Sequence, residues 1–427
     1  MLHPYFILPS RTVIGRNFTS GRMRFKGLRI MHRFSSLTGL ALLLVFSLPA
    51  PAQTVHDAVE SAWNRQPARQ AQVARGAELD GKRNAADALT PGPPALFVGQ
   101  RTDKANSNAG RREWEIELST PLWLAGQQGR QRAVVAAEID ADAATRASLK
   151  WKISGEVRQA WWQARLADAE RGVARQRSDS ASALALDVAR RVKAGDLSRV
   201  DANRARAGEQ TAQVALGEAE TRAFRELQQF TALTGLALLP SADEPGATRP
   251  ATLHPQSIAA RQQVTLAQER LAYAGATRRD APELSVALTR ERNTFDERFD
   301  NSIMLRLKMP FATDARNQPR MAAAAAERAE ADAAQALENG RIEADIAGAR
   351  REDEQAQSTL QLSAARAELA RDTYQLLDRA FKLGELDLPA RLLAEAERFE
   401  AERNLIRARI EAGHAISTLN QALGVLP

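Results

Sequence analysis

The chain carries a second version of itself. Leu118-Ser119-Thr120-Pro121 is matched by Leu307-Lys308-Met309-Pro310. Val192-Lys193-Ala194-Gly195-Asp196-Leu197 is matched by Phe381-Lys382-Leu383-Gly384-Glu385-Leu386, and Thr234-Gly235-Leu236 by Leu423-Gly424-Val425. Each pair is separated by 189 residues, and Pro67 with Pro255 falls within one residue of that offset. Solenoid repeats recur every ~20–50 residues, so this is a duplicated half-protein. Any functional surface should then exist in two related copies.

Ahead of the repeats, Arg33 precedes an apolar run from 37 to 48, followed by Ala50-Pro51-Ala52 and Gln53. That order is a secretory signal peptide with a small-residue cleavage site; the run is too short for a span of about 20 apolar residues. Met31 is the expected start, with 1–30 as an upstream extension. The expected organisation is 1–52 removed, a first repeat over 53–236, a linker over 237–256 containing Pro240, Pro245, Pro250 and Pro255, and a second repeat over 257–427.

Removal of that leader changes the charge. Seven of the 59 basic residues and none of the 52 acidic ones precede Gln53, leaving 52 of each. The basic excess that would suggest nucleic-acid binding therefore sits in the leader, and no nucleic acid is expected as a partner. There is no cysteine, hence no disulfide framework and no acylated cysteine. Stability must come from packing and association.

The rest reads mostly as alanine-rich helix. A helix is expected over 54–89 with Val55, Val59, Trp63 and Val73 on one side. A second runs from about 127 to 193 with Val135, Ile139, Ala143, Leu149, Ile153, Val157 and Trp161 as its stripe. At ~1.5 Å per residue, a run of this length is about 100 Å long and must bundle lengthwise. Val200, Ala207 and Val214 continue the pattern on a return helix, and 320–382 and 389–423 repeat the pair.

Between the helices of each half the period changes to two. Trp114-Glu115-Ile116-Glu117-Leu118 alternates apolar with acidic, and 303–309 alternates aliphatic residues with Met304, Arg306 and Lys308. Partner strands precede these over 95–103 and 283–291, giving hairpins at about 95–122 and 283–310. Alternation over ~10 residues is the signature of transmembrane β-strands. Four strands cannot close a barrel, and open edges in lipid cost several kcal/mol per unsatisfied group (order of magnitude). The strands therefore call for an oligomer, and three chains would supply twelve. The expected class is mainly α with a β-hairpin pair, a long antiparallel helical barrel joined to a transmembrane β-barrel completed by trimerisation.

On these features the chain resembles the TolC family of outer-membrane efflux channels, and within it the CzcC-like heavy-metal components. The resemblance is carried by Ala58-Val59-Glu60-Ser61-Ala62-Trp63-Asn64-Arg65-Gln66-Pro67, Pro121-Leu122-Trp123-Leu124-Ala125-Gly126 with Arg130, Lys193 through Ser198, and Pro310 with Arg316-Asn317-Gln318. It implies a homotrimer in the outer membrane of a Gram-negative bacterium, in contact with outer-membrane lipid and extending into the periplasm. It also implies a periplasmic adaptor and an inner-membrane resistance–nodulation–division pump as partners. At the periplasmic mouth, where a well-studied member has aspartates, this chain has Ala390 and Leu393. Glu385 and Asp387 are then the local candidates for a constriction.

The candidate adaptor-contact residues are Lys193, Gly195, Asp196, Leu197 and Ser198 in one turn, and Lys382, Gly384, Glu385, Leu386 and Asp387 in its copy. Each glycine should be a left-handed C-cap followed by a new N-cap, Ser198 with Asp201 or Asp387 before Pro389. Glu113, Glu115 and Glu117 should line a wetted barrel face, offset by Arg306 and Lys308. Trp114 suits an interfacial belt, Trp123 either that belt or the strand–helix junction, and Trp151, Trp161 and Trp162 helix packing. His56, His254 and His414 lie far apart with no metal-ligand spacing, and no nucleophile, phosphate-loop or zinc-protease motif is present. No enzyme and no cofactor are expected. The expected function is a passive exit duct for heavy-metal cations, with drugs or a secreted protein as alternative cargo for the same channel. A soluble periplasmic or secreted coiled-coil protein with a structural or adaptor role is the competing reading, and the two-faced strands argue against it.

Overall fold

The computed structural model describes residues 54–248, 253–311 and 313–427. The expected leader and Pro250 lie outside them. The elements run α1 (Val55–Asn64), α2 (Pro67–Gln70), α3 (Gln72–Asp87), β1 (Ala95–Thr102), β2 (Arg112–Pro121), α4 (Gln127–Ala194), α5 (Arg199–Thr234), α6 (Pro255–Ala276), β3 (Glu283–Arg292), β4 (Asp300–Lys308), α7 (Asp314–Leu383) and α8 (Leu388–Ala422). α4 packs along α5 and α7 along α8, while α6 lies against both α4 and α7.

α4 and α7, of 68 and 70 residues, each follow one hairpin and return through short turns, as the duplication requires. The repeats differ at their starts. The helix expected over 54–89 is broken, because Pro67 lacks an N–H and holds Gln66 extended (φ −71°, ψ 139°). Val55, Val59 and Trp63 are buried as expected, but Val73, past the break, is 82% exposed. Ahead of the second repeat Pro255, at the end of the expected linker, opens an unbroken α6, with His254 accepting from the Gln256 amide. α7 begins at Asp314 rather than 320 and passes through Pro319. Its first turn is held by buried Asn317, whose Nδ2 donates to the Arg278 carbonyl (2.9 Å) and to Asp280 (3.2 Å).

The core concentrates midway along α4. Val55, Val59 and Trp63 meet Ile153, Val157, Trp161, Trp162 and Phe230, with Leu236 at the end of the first repeat and Leu239 of the linker packed on them. Arg158, 3% exposed, donates to both oxygens of linker Glu244 (3.1 and 2.9 Å) and to the Val425 carbonyl (3.0 Å). Burial pulls its guanidinium below the ordinary value, with Glu244 opposing the shift. Asn420 donates to the Pro245 carbonyl (2.9 Å). The linker thereby ties α4 to the end of α8.

One expected stripe holds in part and the other lies elsewhere on its helix. On α4, Val135, Ile153, Val157 and Trp161 are buried as expected and Ile139 is half-buried, but Ala143 and Leu149 are exposed, and Val134, Ala137, Ala141, Ala144 and Ser148 join the buried side instead. On α5, Val200, Ala207 and Val214 are exposed, while Ala205, Ala212 and Ala219, also seven apart, face the protomer core. The small alanine series lets neighbouring helices approach closely. The valine series is left on the outside.

β1 to β4 form one antiparallel sheet in sequence order. Its register aligns Leu96, Leu118, Val286 and Leu305 in one row and Val98, Ile116, Leu288 and Ile303 in the next. All eight side chains are exposed. This is an apolar sheet face with nothing on it.

Candidate functional site

Two places carry the candidate residues: the helix–helix turns and the other face of the sheet. In the first turn Gly195 has φ 89°, and the Asp196 amide reaches back to the Arg191 carbonyl (2.9 Å). In the second Gly384 has φ 79°, and the Glu385 amide reaches the Ala380 carbonyl (2.9 Å). A Cβ at either glycine would meet open space, so what demands glycine is positive φ, not crowding. Ser198 and Asp201 form the expected reciprocal cap (3.2 Å each way). Asp387 accepts from the Ala390 amide (3.1 Å), with Pro389 in the first turn.

The structure brings the two turns together. Leu184, Val188 and Ala205 of the first repeat share one cluster with Phe381 and Leu388 of the second, and Leu197 and Leu386 pack against it. The guanidinium groups of Arg191 (5.1 Å) and Arg391 (5.7 Å) both lie over the Phe381 ring. Lys193, Asp196, Ser198, Lys382, Glu385 and Asp387 are exposed around this cluster. Asp387 is occupied as a cap, whereas Glu385 projects from the turn itself.

Sequence reasoning missed what lies behind the second turn. Arg391, 8% exposed, donates to Asp378 (2.8 Å), Glu395 (3.0 Å) and the Tyr374 hydroxyl (3.0 Å). Lys382 adds a second cation to Asp378 (2.6 Å). Burial works against the Asp378 carboxylate, but hydrogen bonds from Lys382 and Arg391 hold its pKa below the ordinary 3.8. Burial also opposes the charge on Arg391, and Glu395 with Tyr374 outweighs it. The signal was available: Asp378 with Arg391, and Tyr374 with Glu395, lie nearly equidistant from Gly384, as facing residues of a helical hairpin must.

On the sheet, Glu113, Glu115 and Glu117 share the face opposite Trp114, Ile116 and Leu118, and Arg306 and Lys308 share it too. Arg306 reaches Glu117 (2.9 Å) across β3, above Ser285 and Ala287, which are small and buried. Lys308 pairs with Glu283 (3.4 Å), and Arg101 with Glu113 (3.3 Å). Trp123 donates to the Ala88 carbonyl (3.1 Å) and so belongs to the strand–helix junction, whereas Trp114 stays 48% exposed. Trp151 and Trp161 donate to the carbonyls of Gln421 and Pro240 (2.9 Å each), as packing residues do. Among the described residues no group of three or more His, Cys, Asp or Glu is placed to hold a metal ion, and no helix is long and apolar enough to cross a membrane.

No protein-family model and no curated protein matches the sequence. Solved structures do match the fold. CusC, a protein that forms a transmembrane channel, is similar at TM-score 0.72 and 14% identity, over 87% of this chain and 92% of CusC. The outer-membrane protein VceC of Vibrio cholerae matches at 0.69 and 16%, over 87% and 96%. The Campylobacter jejuni outer-membrane channel CmeC matches at 0.68 and 14%, over 87% and 85%. The chain therefore has the TolC-like fold, long paired helices joined to a four-stranded share of a β-barrel.

Proposed function

We propose that the chain is the outer-membrane channel of a tripartite efflux system, a passive, non-enzymatic exit duct. The observation that carries this reading is the sheet. One face is aliphatic and bare, the other is charged, and both edge strands, β1 and β4, are unpaired within the protomer. Along β4 the outward aliphatic series Ile303, Leu305 and Leu307 covers four residue steps, about 14 Å, and Met309 and Phe311 continue the apolar series past the end of the strand. Three copies supply twelve strands and satisfy every edge.

The helices support the same assembly. Leu362, Leu369, Leu376 and Leu383 form a seven-residue series on α7, each more than half exposed. They give the valine series of α5 a partner surface on a neighbouring copy, with distinct faces as a cyclic homotrimer needs. The two turns then lie about 100 Å from the sheet by helix rise. There they would meet a periplasmic adaptor and, through it, an inner-membrane resistance–nodulation–division pump. Glu385 and Asp387 would ring the mouth, and Glu113, Glu115, Glu117, Arg306 and Lys308 the barrel lumen.

Heavy-metal cations are the proposed cargo, on the strength of the CzcC-like sequence resemblance; a duct need not bind its ion tightly. The test of the channel is carbonate washing of membranes with light scattering in mild detergent. Retention as a trimer is expected, and a soluble monomer with intact β signal would refute it. Leu305→Arg should disfavour insertion by ~2–4 kcal/mol if Leu305 lies near the bilayer midplane. Glu385→Lys should shift planar-bilayer conductance and weaken its cation preference; no change would remove Glu385 from the constriction. Metal against dye sensitivity of a complemented deletion strain decides the cargo.

A further inference from the structure

The parity that makes one sheet face apolar also sorts the charges beyond it. Toward the hairpin loops the inward row is Arg101, Glu113, Glu291 and Asp300. On the outward face Gln100, Trp114, Arg290 and Asn301 make one row, and Thr102, Arg112 and Arg292 continue the next. The carboxylates of these two levels point inward and the guanidinium groups of β2 and β3 outward. At the helix end the outward series continues through Leu122, Pro282 and Met309 instead. The basic collar occupies one end only.

The collar is built rather than incidental. Arg112 and Arg292 are directly opposed across the ladder, an arrangement that costs energy unless an anion screens it. Both guanidinium groups lie over the Phe295 ring (5.8 and 5.5 Å), and Arg290 and Arg292 both lie over Phe299 (4.9 and 4.8 Å). Phe295 and Phe299 are 53% and 36% exposed. The loops are locked together, since a Cβ on Gly110 would fall 2.4 Å from the Phe295 nitrogen, and Arg292 Nε donates to the Gly110 carbonyl (3.3 Å). Of the nearby carboxylates, Asp103 pairs with Arg112 (2.8 Å), and Glu297 and Asp300 accept from the Asn293 and Asn301 amides (2.9 Å each), while Glu291 and Asp296 lie in the same strand and loop. Arg290 and Arg292 make no ion pair among the described residues. Stacking on a ring fixes the plane of a guanidinium and leaves its N–H edge open, the geometry that suits phosphate oxygens.

We propose that Arg290 and Arg292, with Phe295 and Phe299, bind the phosphate-bearing headgroups of membrane lipids at the loop end of the barrel. This rests on the reading of the sheet as membrane-spanning. Depth agrees with it. Arg290 and Arg292 lie two and four residues beyond Leu288, about 7 and 13 Å along the strand. Tilt reduces these to about 5 and 10 Å, which spans a headgroup layer of about 5–8 Å per side. Trp114 sits at the first of these levels, where interfacial aromatics belong.

The test is native mass spectrometry of the full chain, purified in detergent from the membrane fraction and titrated with short-chain phosphatidic acid or phosphatidylcholine. Wild type should prefer the phosphomonoester lipid by about tenfold or more, as charged hydrogen bonds to a phosphate imply. Arg290→Gln with Arg292→Gln should abolish that preference, while Arg298→Gln, in the same loop but stacked on neither ring, should keep it. If the glutamine pair does not insert, Arg290→Lys with Arg292→Lys replaces it and should reduce the preference several-fold. Equal binding of the two lipids by wild type, or an unchanged preference in the double variant, overturns the proposal. Displacement of the lipid by equimolar inorganic phosphate overturns it in favour of a free-phosphate site. Absence of wild type from carbonate-washed membranes refutes instead the membrane-spanning reading beneath it.

Discussion

The two helix–helix turns share a backbone and differ in what stands behind it. Gly195 and Gly384 adopt the same left-handed conformation, and the amide that follows each bonds back five residues at the same 2.9 Å. Behind the second turn Tyr374, Asp378 and Arg391 form a buried charged cluster. At the matching positions, 189 residues earlier, the first repeat has Ala185, Ala189 and Ala202. Its ion pairs, Arg190 and Arg191 with Asp187, are more exposed. Duplication preserved the reversal of the chain and let its support diverge, so one turn is braced by packed alanine and the other by charge.

The largest test of that difference is Arg391→Ala. It leaves Asp378 and Glu395 beneath the turn without their shared cation, and breaking a buried pair from one side costs ~3–5 kcal/mol. Hydrogen exchange over 374–399 should rise sharply while 185–206 changes little. Replacing Asp378, Arg391 and Glu395 together by alanine should recover much of the loss, because removing a cation with both of its carboxylates is far cheaper than stranding them. If the triple variant is as damaged as the single one, charge is not what braces the turn.

The glycines come next. Valine at positive φ is strained by roughly 1–2 kcal/mol or more, so Gly195→Val and Gly384→Val should each distort their turn. Under the channel reading both abolish resistance while trimers and barrel insertion persist, measured by resistance assay beside native gels. Full resistance in both variants would remove the turns from the docking role. A larger defect at Gly384 than at Gly195 would show that the charged support tolerates less displacement than the apolar one.

Much of this was legible in the sequence, and for physical reasons. Alternation at 114–118 and 303–309 reports a two-faced strand directly, and a constant offset reports duplication whatever the fold. Gly195 and Gly384 were readable because left-handed C-caps admit few residues. Burial on the long helices was not. Ala205 and Val200 belong to two series with the same seven-residue step, and spacing alone does not say which faces the protomer and which faces outward. The mirror spacing of Asp378 and Arg391 about Gly384 is outweighed on a first reading, because Arg391 with Glu395, and Asp378 with Lys382, are spaced i,i+4 like ordinary solvated pairs. Their burial follows from how α7 lies on α8.

Acid should separate the turns further. The folded Asp378 carboxylate titrates below its ordinary value, so its contribution to stability is complete above the unfolded pKa of about 3.9 and disappears as pH falls through the lower folded one. Protection over 374–399 should therefore fall below about pH 4, and Asp378→Asn should flatten that dependence. The matching segment of the first repeat has alanine where Asp378 stands and should respond less. An equal acid response in both segments would place its origin elsewhere.

The smallest effect lies in the caps, where the turns are most alike. Ser198 closes a reciprocal box with Asp201, while Asp387 makes a single bond to the Ala390 amide beside Pro389. Loss of a cap side chain costs ~1 kcal/mol in either setting. Asp387→Ala additionally removes a negative charge from a helix N-terminus, where it is favoured by ~0.3–1 kcal/mol. Ser198→Ala removes no charge, and Asp201 remains in the first turn to interact with the dipole. Asp387→Ala should thus loosen its turn slightly more than Ser198→Ala, and added salt should narrow the gap because the dipole term is screened. Thermal melts at low and high ionic strength measure both. A gap that does not depend on salt would mean that hydrogen bonding alone distinguishes the two caps.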